Sequence, residues 1–207
     1  LHLLTSAPPA SPAAPGSTHL RVGVALTPAR GKRPTASAWA LEAHDIGPGG
    51  AQTERLRASG AIATAATHPA HGRVTVVKLA PHLAEVAMQV AAGRALHYAE
   101  QLRRKGRRVT ISLPSATTAR DILPTRPGET RPRTSHRDIA GNNSRKLQQL
   151  GTQVKINVDT ANTPQRLQHE AEAAARSGNL RAQVRVPGRA VHAIPLWDEL
   201  RTWDPGD

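Results

Sequence analysis

The side chains with the clearest chemical consequence are cations. Between residues 101 and 150 the chain carries 12 Lys and Arg against 3 Asp and Glu, a local excess of +9 out of +13 for the whole protein. Arg103, Arg104, Arg107, Arg120, Arg126, Arg131, Arg133, Arg137, Arg145 and Lys146 make up most of this run. A guanidinium presents a rigid fork of donors that matches phosphate oxygens. A concentrated basic surface is the electrostatic footprint of a phosphate-backbone binder. Such contacts confer affinity without sequence choice. The chain has no Phe, one Tyr and three Trp, so it lacks the stacking platforms of a dedicated single-strand binder. A nucleic-acid partner is the expectation, and a solvated face built from codon-biased arginine is the alternative.

Other chemistries find less support. There is no cysteine, which excludes disulfides, thiolate nucleophiles and thiolate metal ligands. His68 and His71 have ligand-like spacing, but no acid or cysteine joins them in a zinc pattern. Gly47-Pro-Gly-Gly50 lacks the Lys and Ser/Thr of a phosphate-binding loop. No apolar run approaches the ~18 residues of a membrane span, so no membrane partner is expected and the cytoplasm is the default location. Arg outnumbers Lys 23 to 5, a bias expected of a high-GC bacterial genome.

The elements that must position these residues follow from periodicity. Residues 1–18 are rich in Pro, Ala and Ser, without charged side chains, and read as a disordered tail. Alternation predicts strands over 19–27 and 36–43. Residues 45–72 are ambiguous beyond a turn at 47–50, and 73–79 reads as a further strand. An apolar seam through Leu83, Ala87, Val90, Ala91, Ala95, Tyr98 and Leu102 predicts a helix from 81 to 105, ended by Gly106. A strand at 108–113 leads to a short helix from 116 with Ser115 as N-cap. A Pro- and Arg-rich loop over 124–135 precedes a short helix at 143–150. A strand at 153–158 follows, then a helix capped by Thr163 with Pro164 at its first position, running to 177. The last 29 residues hold a possible strand at 183–186 and an apolar patch around Trp197 and Trp203.

Three strings in this order carry a family likeness: Leu83-Ala-Glu-Val-Ala-Met-Gln-Val-Ala-Ala92, Val109-Thr-Ile-Ser-Leu-Pro-Ser115 and Thr163-Pro-Gln-Arg-Leu-Gln-His-Glu-Ala-Glu-Ala-Ala-Ala175. Their sequence of strands, helix, strand, helix, strand and helix resembles the ribonuclease H-like family across residues 19–178. The resemblance implies an α/β fold, a mixed sheet flanked by helices, with 179–207 as a C-terminal extension. Family members that cut use four acids around two divalent metals, typically Mg²⁺ held by carboxylates. By the resemblance, Glu85 is the helix glutamate and Glu172 the last acid, which makes them the candidate catalytic and metal-binding residues. The first-strand aspartate falls near Ala25, and the second-strand aspartate at Leu113 or Pro114. The family's histidine after the last strand has no match in Asp159-Thr-Ala-Asn-Thr163, and His169 lies on the helix instead. The residues alone also allow Glu85 as a solvent-facing helix position and Glu172 as the partner of Arg176 four residues on.

With two acids unmatched, the resemblance implies a catalytically degenerate domain that binds duplex or RNA–DNA hybrid through its basic loop, with no cofactor unless it is active. Two alternatives stand: an active Mg²⁺-dependent nuclease with displaced acids, and a scaffold that binds a protein through Trp197/Trp203. Whether the chain is an enzyme stays open at this point.

Overall fold

In β1 (Ser17–Thr27), Leu20 and Val22 alternate with His19, Arg21 and Gly23, so one face is apolar and the other polar or small. In β2 (Ala36–Ile46), Trp39, Leu41 and Ala43 alternate with Ala38, Ala40 and Glu42. The two strands pair antiparallel, with Leu20 opposite Ala43 and Val22 opposite Leu41. A tight turn over Pro48–Gly50 follows, in which Gly49 and Gly50 take φ of 74° and 82°, the left-handed region that glycine enters without strain. The chain returns as β3 (Gln52–Ile62), antiparallel to β2 with a bulge between Ala43 and His44. The molecule is described by a computed structural model at residues 16–27, 36–62, 65–67, 74–76, 83–124, 137–160, 164–179, 181–190 and 192–194.

β4 (Ala65–Thr67) and β5 (Val74–Val76) form a separate two-stranded pair. Helix α1 (Leu83–Arg104) then crosses the apolar face, and β6 (Arg108–Leu113) enters parallel to β1 with Leu20 beside Ile111. A strand, a helix and a strand in this order thus give the parallel pair that such a crossover favours. Ser115 caps α2 (Ala116–Ile122), its hydroxyl accepting from the Thr118 N–H at 3.1 Å. α3 (Arg137–Leu150) packs on α1, and β7 (Val154–Val158) joins β6 in parallel. α4 (Gln165–Ser177) covers the other face over β1, β2 and β3. β8 (Ala182–Arg185) adds antiparallel to β3, and β9 (His192–Ile194) to β8. The seven-stranded sheet therefore runs β7-β6-β1-β2-β3-β8-β9.

The two faces are packed differently. On the α1 side, Leu20, Trp39, Leu41, Leu56, Leu96, Tyr98, Leu102, Ile111 and Leu113 form one large cluster with almost no exposure. Trp39 fits because its cross-strand neighbour is Gly60: a Cβ there would sit 3.1 Å from the indole Nε1. The Arg94 guanidinium lies 5.4 Å from the centroid of a Trp39 ring. Burial lowers its pKa to about 10, so it stays charged at neutral pH. On the α4 side the interface is small: Ala25 and Ala40 against Leu167 and Ala171, and Ala38 against Ala174 and Ala175. Small residues on both surfaces let the helix lie close to the sheet.

Several sequence expectations need correction. The strand expected at 73–79 contributes Val74–Val76 to the separate pair, and the third strand of the main sheet is β3. The alternation of Leu56, Ala58 and Gly60 with Arg55, Arg57 and Ser59 carries that strand, but Ala and Gly make its apolar side faint. The helix expected at 143–150 starts six residues earlier, at Arg137. The strand expected at 183–186 is β8, which continues the main sheet. β1 begins at Ser17, inside the expected tail, and residues 1–15 lie outside the described residues, as do Thr163, Trp197 and Trp203.

Candidate functional site

The resemblance implies that acids would meet where β1 runs beside the end of β6. The parallel register sets Arg21 beside Ser112 and, continued two residues, Gly23 beside Pro114. Gly23 is buried, Ala25 packs at 3 % exposure against Leu167 and Ala171, and Leu113 is fully buried in the α1-side cluster. None of these positions can ligate a cation. One cross-strand pair below Gly23, on the same face, stands Glu42 opposite Arg21.

Glu42 is fully buried and doubly compensated. Arg166 Nη2, from the first turn of α4, donates to Oε2 at 2.8 Å, and Arg21 Nη1 approaches Oε1 at 3.4 Å. The other Arg166 nitrogen, Nη1, reaches Glu54 Oε2 at 3.1 Å. Glu54 Oε1 accepts from Arg57 Nε at 2.8 Å, and Arg57 Nη1 donates to Glu170. A chain of alternating guanidiniums and carboxylates thus fastens α4 to three strands. Its hydrogen bond and charge partners, Glu42 first, raise the pKa of Arg166. Sequence reasoning missed this network. The available signal was a lone acid inside the apolar β2, since a buried carboxylate requires a partner.

Beside the network, His19 Nε2 lies 2.7 Å from Ser112 Oγ. Burial first, and then the Arg21 charge and His44, hold the His19 imidazole below its ordinary pKa. Ser112 is only 7 % exposed, so this pair ties β1 to β6 and does not offer a nucleophile to solvent. Asp159 follows β7, and its backbone N–H donates to the Leu113 carbonyl at 2.9 Å, which brings an acid beside the Pro114 position.

The two candidate acids are not brought together. Glu85 is exposed in the first turn of α1, and Glu172 lies on α4, on the opposite side of the sheet. Glu172 accepts from Gln168 at 3.3 Å and stands 3.8 Å from Arg176. Among the described residues, no group of three His, Asp or Glu side chains is arranged to hold a metal ion. Among the described residues, the side chains at the β1 and β6 positions that the resemblance matches to acids supply no carboxylate for a two-metal site.

The candidate cations divide into two sets. Arg107 serves the fold: it donates to Thr18 Oγ1 at 2.7 Å and to the Ser17 carbonyl at 3.2 Å, and pairs with Asp45 at 2.7 Å. Arg104, largely exposed, and Lys146 are drawn together by Glu100, which both contact, across the α1–α3 seam. Those partners, Lys146 first, hold the Glu100 carboxyl below its usual range. Arg145 is exposed on the same helix and donates to Asn142, while Arg103 is partly buried and Arg120 is exposed at the end of α2. Arg137 opens α3. Arg126, Arg131 and Arg133 lie outside the described residues.

No protein-family model and no curated protein sequence matches this chain. Its fold is similar to that of the foamy viral protease-reverse transcriptase in complex with RNA/DNA hybrid, at TM-score 0.54 and 14 % identity over 86 % of this chain. That match spans 22 % of the viral chain. The foamy viral protease-reverse transcriptase in complex with dsDNA matches at 0.52 and 14 %, over 79 % of this chain and 94 % of the other. The PFV RNase H domain in solution matches at 0.50 and 10 %, over 80 % and 93 %. The protein has a ribonuclease H-like α/β fold, a mixed sheet flanked by helices.

Proposed function

We propose that this protein is a ribonuclease H-like domain that holds duplex or hybrid nucleic acid through arginines, without two-metal cleavage of its own. The observation that carries this reading is the sheet end, where Gly23, Ala25, Leu113 and Pro114 stand in place of ligating acids and guanidiniums satisfy Glu42. Similarity to domains solved with RNA/DNA hybrid and with dsDNA supports the choice of partner. The exposed cations of α1, α2 and α3, with Arg126, Arg131 and Arg133 between α2 and α3, would supply the phosphate contacts.

The test is fluorescence anisotropy of a labelled hybrid titrated with the full chain across a salt series. Binding should be indifferent to sequence and should weaken with salt. Each phosphate contact steepens the log–log slope by about 0.9 for B-form DNA. Replacing Arg126, Arg131 and Arg133 together by Ala should flatten that slope by up to about 3 units. Affinity untouched by both salt and the triple substitution would refute the reading.

A second reading is kept by one observation, the position of Asp159 beside Pro114. It makes Asp159 a displaced acid of an active Mg²⁺-dependent nuclease. Hybrid cleavage in Mg²⁺ or Mn²⁺ that is lost in both Glu85→Gln and Asp159→Asn would establish it.

A further inference from the structure

The strand added beyond α4 makes a small cavity that the rest of the fold does not use. Its floor is the α4-side face of β3 and β8, with Ser59, Gln183 and Arg185, and its roof is α4 between Glu170 and Ser177. Asn179 closes one end, held there by its carbonyl accepting from the Ala61 N–H at 2.9 Å. Ser177, Asn179 and Arg185 are exposed and mark the mouth. The volume is about 140 Å³. At ~30 Å³ per water, this holds a few waters or one small hydrated anion, but not a nucleotide base with its sugar.

The polar groups left over in this cavity can all donate. Ser177 Oγ already donates to the Ala174 carbonyl and accepts from the Asn179 N–H. Asn179 Oδ1 accepts from the Arg181 N–H, which turns its amide NH₂ toward other acceptors. Glu170 is engaged by Arg57. The Asn179 NH₂, the Ser59 hydroxyl, the Gln183 amide and the Arg185 guanidinium remain.

The register adds a charge argument. Arg57 lies directly opposite Arg185. Like charges facing each other across antiparallel strands repel. Arg57 is compensated by Glu54 and Glu170, whereas the described structure gives Arg185 no carboxylate. A cation with surplus donors around a cavity of this size matches a tetrahedral oxyanion.

We propose that this cavity binds a phosphate group, with Arg185 as the charge partner and Ser59, Asn179 and Gln183 as neutral donors. The group is either free phosphate or the terminal phosphate of a nucleic-acid strand. The site shares no residue with the candidate basic surface; its strand-end arm rests on the nucleic-acid reading above, whereas inorganic phosphate tests the cavity without it.

The test records amide chemical shifts of the full-length protein during titration with inorganic phosphate, repeated for Arg185→Gln and Arg185→Lys. Phosphate should perturb the amides of Ser59, Gln183 and Arg185. Arg185→Gln should weaken binding at least about tenfold, as expected for loss of a charge-assisted contact, and Arg185→Lys should weaken it less. Thermal melts of both variants ensure that a loss of binding is not a loss of fold. A parallel titration compares 5′-phosphorylated with 5′-hydroxyl oligonucleotides. Tighter binding of the phosphorylated strand, lost in Arg185→Gln, assigns the site to strand ends, and equal binding assigns it to free phosphate. Phosphate shifts located elsewhere, or unchanged affinity in a folded Arg185→Gln protein, would overturn the proposal.

Discussion

Arg166→Ala is the most incisive probe of the α4 face. It removes the 2.8 Å partner of a carboxylate with no solvent exposure and leaves Glu42 with only the 3.4 Å approach of Arg21. Breaking a fully buried pair by deleting one member costs about 3–5 kcal/mol, since the survivor is an uncompensated charge. The Arg166 side chain is 46 % exposed, so its removal opens a path for water to Glu42 and lowers the expected cost to roughly 2–4 kcal/mol. For a domain of this size each kcal/mol moves Tm by about 2–4 °C. The Arg176–Glu172 pair of the same helix spans 3.8 Å, with side chains 64 % and 38 % exposed, and serves as the control. Arg176→Ala should stay within about 0.5 kcal/mol, as exposed pairs do.

Urea denaturation of both variants measures the contrast. The double variant Arg166→Leu with Glu42→Leu should recover most of the loss, because replacing a buried ion pair by apolar side chains is often neutral. If Arg166→Ala costs no more than Arg176→Ala, Glu42 is solvated in solution and the buried network does not hold α4.

Two further predictions concern other parts of the fold. The His19 imidazole is held below its ordinary pKa of 6.5, so the unfolded chain takes up this proton more readily than the folded one. Its contribution to stability is complete above that pH and is lost as pH falls below it; chemical denaturation from pH 7.5 to 5 should show the decline, and His19→Gln should make it shallower. Gly93→Ala should destabilise by about 1–3 kcal/mol despite the better helix propensity of Ala, because the new Cβ would stand 2.8 Å from Asn143 Oδ1. Asn143 Nδ2 donates to the Gln89 carbonyl at 2.8 Å and to Gln89 Oε1 at 2.9 Å, so the α1–α3 contact should loosen, as hydrogen exchange in α3 would report.

The parts of this structure that periodicity made legible are those where large apolar residues set the pattern. β1, α1 and β6 announce themselves through Leu20, Val22, Leu96, Leu102 and Ile111, and α2 through its capping residue Ser115. β3 did not, because its buried side is Leu56, Ala58 and Gly60 between arginines, and small residues barely raise an apolar signal. The space for Trp39 explains that choice: the large ring and the glycine are two halves of one packing decision, visible only once the strands are paired. That Ala25 and Pro114 stand where the resemblance expects acids could be read from the sequence. The ion-pair network beside them could not, since Arg21, Glu42 and Arg166 are far apart in sequence and meet only through the register of β1 with β2 and the placement of α4.

The same lesson limits what net charge can say about binding. A sequence count treats every arginine between 101 and 150 as available to phosphate, yet Arg107 is fixed by Ser17, Thr18 and Asp45 at the entry to β6. Its partners would have to be given up before it could meet a nucleic acid, and Thr18 is itself buried. Lys146 is in a similar position, held with Arg104 by Glu100. Arg21, Arg57 and Arg166, outside the basic run, are likewise engaged by Glu42, Glu54 and Glu170. In a protein with no Phe, long arginine stems and their ion pairs take up part of the work that bulky apolar side chains do elsewhere, tying helices to the sheet across a core otherwise lined by alanine. Each ion pair takes up one cation and one carboxylate, so the net excess of +13 is unchanged; what pairing decides is which cations stand free, and the proposed binding role calls on those of the helices flanking the Pro- and Arg-rich segment.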